Sequence, residues 1–264
     1  MRLVSWRGGF GRLQGSAVVP MGDNVIAYLE GHVRAREEAA VPLASLSLLA
    51  PVPCPGKVIC VGLNYRDHAV EAGQTVPSEP VLFGKFANSV VGTGEAIVLP
   101  PAARQVDFEA ELAVVIGHRT RRVPVDKALS CVAGYTCAND VSARDLQFRT
   151  GQWLRGKAID TFLPLGPWLV TPDEIGDVGH LKIVCLVNGK KMQEATTGDM
   201  MCGVAEIVSF ISETITLEPG DVIATGTPPG VGFSRTPPVF LQDGDEVTVT
   251  IDRIGSLTNP VRRV

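Results

Sequence analysis

Asp107-Phe-Glu-Ala-Glu-Leu-Ala-Val-Val-Ile-Gly117 sets carboxylates at three alternate positions and then runs straight into an apolar segment. On a β-strand, alternate side chains share a face. Asp107, Glu109 and Glu111 therefore project together, while Phe108, Ala110 and Leu112 project the other way. Neighbours on one face lie roughly 7 Å apart. Like charges at that distance repel unless a positive group sits between them or one carboxyl keeps its proton. A divalent cation is the simplest answer, and it implies chemistry on an oxygen-rich substrate. The competing reading is an exposed edge strand with repelling charges.

Outward from this strand, short β signals recur. Lys57 to Val61 reads as a buried strand, and Glu111 to Ile116 as another. Leu181 to Val187 runs into Asn188-Gly189, a strong hairpin signal. Asp221 to Thr225, and Glu246 to Ile251 after Asp243-Gly244, continue the pattern. Helical pieces are fewer. Arg66 to Ala72 stops at Gly73, Val125 to Val132 follows Pro124, and Gly203 to Thr214 carries apolar residues at helical spacing. Strands do not alternate regularly with helices, so a doubly wound sheet is not indicated. The fold class expected is α+β, mainly β. Pro51-Val-Pro-Cys-Pro-Gly56 punctuates the chain strongly, predicting a small N-terminal domain over 1–52 and a catalytic domain over 53–264.

Composition narrows the function. A formal net charge of −4 gives no broad basic surface, so nucleic acid is not an expected partner. No apolar run approaches bilayer length, so no membrane is expected either. Six cysteines are scattered without a CxxC pair, which suits buried free thiols in a reducing cytoplasm.

Three further segments carry polar residues that a purely structural reading strains to explain. In Asn64-Tyr-Arg-Asp67-His68-Ala-Val-Glu71, His68 and Glu71 are three apart, so on a helix the carboxylate can orient the imidazole as a general base. A capped surface helix with a casual ion pair explains the spacing equally well. In Ala138-Asn-Asp140-Val-Ser-Ala-Arg144-Asp-Leu-Gln147, Asp140 taken alone reads as a helix N-cap, while Arg144 and Gln147 can share a helix face. Thr225-Gly-Thr227-Pro-Pro-Gly-Val-Gly232 lacks the lysine of a P-loop, and reads as a glycine-rich loop offering hydroxyls and amides to a carboxylate. His32, His118 and His180 lack ligand spacing and read as structural.

Taken in order with Val61-Gly-Leu-Asn-Tyr65 and Lys157-Ala-Ile-Asp160, these motifs resemble the fumarylacetoacetate hydrolase family over roughly residues 55 to 260. The resemblance implies a mixed β-sandwich or β-roll behind a small N-terminal domain, usually assembled as a homodimer. It implies Glu109, Glu111 and Asp140 as ligands of Mg²⁺ or Mn²⁺, with Ca²⁺ able to stand in within a crystal. It implies His68 and Glu71 as a catalytic pair, with Lys157 and Gln147 stabilising charge, and Arg144 and Thr227 contacting a small-molecule 2-oxo acid. Asp107 is not carried over as a ligand and is expected to orient its neighbours. The activity implied is hydrolysis of a C–C bond in acylpyruvate-type 2,4-dioxo acids through an enolate stabilised by the metal. The same family offers 5-carboxymethyl-2-hydroxymuconate and 2-hydroxyhepta-2,4-diene-1,7-dioate isomerases and oxaloacetate decarboxylases, enzymes of aromatic breakdown among them. Phe148 to Leu154 lacks the tyrosine expected in the long fumarylacetoacetases, which argues against fumarylacetoacetate as substrate. A non-catalytic metal-binding scaffold would account for the carboxylates but not for His68, Glu71 and Lys157 together.

Overall fold

A computed structural model describes residues 1–264. The apolar run after the carboxylates forms the strand Ala110–Ile116, every residue of which is buried. It lies inside a large mixed sheet, between Val132–Asn139 and Val222–Ala224, antiparallel to both. Beyond Val222–Ala224 the sheet continues through Val58–Gly62, paired in parallel, to Val81–Lys85. Its two faces serve two cores. Ala110, Leu112, Val114 and Ile116 enter one, which also takes residues of a second, five-stranded sheet. Ala113 and Val115 enter the other with Val58, Cys60 and Leu163. A strand buried on both sides reads as a continuous apolar run rather than as an alternation.

The second sheet runs in the order Lys190–Thr196, Lys182–Val187, Glu246–Ile251, Gly255–Arg263, Ile97–Leu99. The first two form the expected hairpin, with Asn188 at φ 52° and Gly189 at φ 74°, the pair of positive angles a tight turn of this kind requires. The mainly β, α+β architecture expected from the sequence is the one observed. Residues 1–52 extend the same large sheet, since Arg2–Trp6 pairs antiparallel with Leu163–Val170. No helix is long and apolar enough to cross a membrane.

Three local expectations need correction. The carboxylate strand is not continuous: Val106–Asp107 pairs with Ser142–Ala143, and pairing with Val132–Asn139 starts only at Ala110. Side chains fill the gap, the Glu109 amide donating to Asn139 Oδ1 at 3.0 Å and the Ala110 amide to Gln193 Oε1 at 2.9 Å. The helix expected over 125–132 is one α-turn, Val125–Ala128, followed by a 3₁₀ turn, because Val132 already belongs to a buried strand. Asp140 caps no helix, since the next helical turn starts at Arg144.

Candidate active site and metal centre

The strand register brings the acidic residues together. Ala110 faces Asn139 across the ladder, so the residue just past the strand end, Asp140, lies beside Glu109, and its amide donates to the Glu109 carbonyl at 2.9 Å. Glu109, Glu111 and Asp140 each present an oxygen within 4.8 Å of the others, and all three are buried. An exposed edge with repelling charges is therefore excluded.

Cations are buried with them. Arg144 donates from Nε to Asp107 at 2.9 Å, from one terminal nitrogen to Glu109 at 2.6 Å, and from the other to the Gln147 carbonyl oxygen at 2.9 Å. Lys157 Nζ bridges Glu109 at 2.7 Å and Asp140 at 2.6 Å. Lys85, which the sequence reading missed, donates to Asp140 at 2.5 Å and to the Val141 carbonyl at 3.1 Å. Asp107, Glu109, Glu111 and Asp140 thus face three cations, Lys85, Arg144 and Lys157, leaving one negative charge in excess. The excess falls on Glu111, whose carboxylate accepts only from the Gly226 amide, at 2.8 Å. Burial, reinforced by Asp140 and Glu109, pushes the Glu111 carboxyl well above its ordinary pKa. Glu109 goes the other way: burial opposes its charge, but Lys157, Arg144 and His68 outweigh that and hold it far below the carboxylate range. An all-oxygen donor set with one uncompensated carboxylate fits a hard divalent cation such as Mg²⁺ or Mn²⁺.

His68 and Glu71 lie on the short helix Arg66–Glu71, with His68 Nδ1 3.0 Å from Glu71 Oε1. Glu71 also accepts from the Gly230 amide at 3.0 Å. Burial raises the Glu71 carboxyl, yet the His68 and Gly230 hydrogen bonds outweigh it and leave its pKa lowered. With Nδ1 committed to Glu71, Nε2 is the nitrogen His68 can offer to the cavity.

The glycine loop serves carboxylates, as expected, but they are the protein's own. The Gly226 amide donates to Glu111, the Gly230 amide to Glu71, and the Gly232 amide to Asp107 at 2.7 Å. Gly230 has φ 103°, and a Cβ there would sit 2.3 Å from the Met192 carbonyl oxygen. Gly230→Ala is therefore expected to destabilise the fold by about 1–3 kcal/mol and to reduce turnover by loosening Glu71. A thermal melt beside a steady-state assay checks both. Thr227 borders the cavity, while its hydroxyl donates to the Ala110 carbonyl at 3.0 Å and accepts from Gln193 at 2.8 Å.

The expected residues converge on one cavity of about 110 Å³, lined by His68, Glu109, Glu111, Arg144, Gln147 and Lys157. Glu71 and Asp140 stand just behind it, through their bonds to His68 and Lys157. Aromatic rings line part of the remaining wall: Arg144 lies 4.4 Å from the centre of the Phe233 ring and Lys157 5.0 Å from that of Phe83. Trp153 belongs to this wall, edge-on to Phe83. Sequence reasoning missed Lys85, Gln193 and Asn139. Each sits at an inward-facing position of an otherwise apolar or amphipathic strand, and that polar residue was the only available signal.

A family model described as fumarylacetoacetate hydrolase, C-terminal, matches residues 57–262. The mitochondrial oxaloacetate tautomerase of Rattus norvegicus is 50% identical over 222 residues, which cover 84% of this chain and 71% of that protein. The crystal structure of 5-carboxymethyl-2-hydroxymuconate delta-isomerase from Mycobacterium smegmatis superposes with a TM-score of 0.86 at 38% identity, covering both chains fully. The fumarylacetoacetate hydrolase of Exiguobacterium antarcticum does so with a TM-score of 0.90 at 37% identity, again over both whole chains.

Proposed function

The chain belongs to the fumarylacetoacetate hydrolase family, and on that premise we propose that it is a tautomerase, interconverting keto and enol forms of a short 2-oxo diacid of the oxaloacetate type. The observation that carries this reading is the position of His68, oriented by Glu71, on the wall of the small cavity it shares with Glu109, Glu111 and Lys157. Its 50% identity to an oxaloacetate tautomerase supports the choice of substrate class.

Glu109, Glu111 and Asp140 are the residues proposed to hold a divalent cation. When bound, that ion supplies positive charge where enolate character develops. His68 Nε2 takes a proton from the carbon beside the 2-oxo group, and the C–H electron pair becomes the new C–C double bond. The former carbonyl electrons move to oxygen, which gains a proton to give the enol. Glu71 stabilises the imidazolium formed in the first half of the exchange. Burial would favour neutral Lys157, but Asp140 and Glu109 outweigh it and keep the group an ammonium. Its charge then lies beside the oxygen on which negative charge collects. The Gln147 carbonyl accepts from Arg144, leaving the Gln147 amide N–H groups to donate to substrate. The aromatic wall sets apolar surface beside these groups, and a lower local dielectric strengthens each of these interactions.

A second reading, hydrolysis of acylpyruvate-type 2,4-dioxo acids, is favoured by the same His68–Glu71 bond, because a base so held can equally deprotonate water. A panel of oxaloacetate, acylpyruvates and 5-carboxymethyl-2-hydroxymuconate, each with and without Mg²⁺, separates the two. Tautomerisation of oxaloacetate followed by ultraviolet absorbance is expected to be the fastest reaction and to fall on chelation. Faster cleavage of an acylpyruvate would reverse the ranking, and silence on the whole panel would favour the metal-binding scaffold. Homodimerisation is proposed from the family alone. A cytoplasmic location is proposed from thiol usage, beside a rat relative whose name places that protein in mitochondria.

A further inference from the structure

Five non-glycine residues have positive φ: Leu63, Arg122, Thr161, Asn188 and Arg253. Only Leu63, at φ 55°, also borders the catalytic cavity. The left-handed region disfavours a residue with a Cβ by roughly 1–2 kcal/mol. A glycine stands next door at 62, yet it is Leu63 that takes the unfavourable angle.

Firmly held residues flank that angle on both sides. The Asn64 side chain donates to the carbonyls of Cys202 at 3.0 Å and Thr225 at 2.8 Å, and accepts from the Cys202 amide at 2.9 Å. The Asn64 carbonyl accepts from the Met201 amide at 2.8 Å. On the other side Gly62 lies against the indole of Trp153, so close that a Cβ at 62 would sit 2.6 Å from it. Strain held this firmly beside a site is a reason to look for function.

Leu63 borders two spaces at once. One is the catalytic cavity, and the other is a separate hollow of about 30 Å³ lined also by Pro77, Pro80 and Met201. The cations of the catalytic cavity, Arg144 and Lys157, are committed to the protein's own acids, and the His68 ring is bonded through Nδ1 to Glu71. The cavity residues that follow the His68 helix, Ala72 and Gln74, are uncharged. The space is therefore charged where the carboxylates meet and neutral beyond the helix.

We propose that Leu63 is a specificity-determining residue, a partition that ends the cavity and restricts it to 2-oxo acids with short chains. The substrate class rests on the tautomerase reading; the partition itself does not. Leu63→Gly removes the wall and suits the backbone angle, whereas Leu63→Ala removes most of the wall and keeps the strain.

The test is calorimetric binding of straight-chain 2-oxo acids, from pyruvate to 2-oxooctanoate, in Mg²⁺ buffer, to the wild type and both variants. The wild-type protein is expected to lose about tenfold or more in affinity once the chain outgrows the cavity. Both variants are expected to move that break to longer acids. A purely structural role for Leu63 would raise the melting midpoint of Leu63→Gly and leave the break where it was. An unmoved break in both folded variants overturns the proposal, as does a wild-type protein that binds no 2-oxo acid or shows no break. Oxaloacetate turnover by the wild type, measured in parallel, reports on the tautomerase reading separately.

Discussion

Replacing Glu109 by alanine is expected to destabilise the protein by about 3–5 kcal/mol and to remove both divalent-cation binding and turnover. Glu109 is 5% exposed and joins Arg144 to Lys157, each through a separate carboxylate oxygen. Without it, two buried cations face each other across a gap. Asp107 still holds Arg144 and Asp140 still holds Lys157, so the fold is weakened rather than lost. Denaturant unfolding measures the first effect, and calorimetric titration with Mg²⁺ measures the second. Wild-type affinity for the ion in a folded Glu109→Ala protein would remove this residue from the ligand set.

His68→Gln is expected to separate chemistry from scaffolding. Glutamine can still donate to Glu71, so the helix Arg66–Glu71 keeps its tie to the glycine loop. It cannot accept a proton, and turnover should fall by roughly 10²–10⁴ while Mg²⁺ affinity stays near the wild-type value. Stopped-flow measurement of tautomerisation beside the same titration distinguishes the outcomes. Turnover close to wild type would mean that another group moves the proton.

Much of this site was legible in the sequence because its chemistry rides on local patterns. The run 107–117 put three carboxylates on one strand face, with an exposed edge as the alternative, and the His68–Glu71 spacing allowed a dyad as readily as a casual ion pair. Asp140 was different. Alone it read as an N-cap, and only the resemblance linked it to Glu109 and Glu111. The physical link is the pairing of Ala110 with Asn139, which is a long-range register no spacing rule contains. Lys85 closes an otherwise apolar strand, where a lysine most often reaches for solvent; here that strand end abuts Asp140. The destination of the loop amides was likewise hidden, because a glycine-rich loop does not reveal whether the carboxylate it holds is a ligand's or its own. The Pro-rich stretch at 51–56 gave no sign that the strand Arg2–Trp6 before it would pair with Leu163–Val170, since a pairing between strands so far apart in the chain leaves little mark on periodicity.

The seven-residue span from Gly226 to Gly232 holds Glu111, Glu71 and Asp107 by three amides of one short stretch, those of Gly226, Gly230 and Gly232. It acts as a common datum from which the acid cluster and the proposed base, His68 through Glu71, are both measured. A small drift of the loop carries both along, so their mutual alignment survives motions that would ruin two independently mounted parts. The same coupling makes errors shared: an insertion within the span would misplace base and acid cluster together, with no partial loss in between.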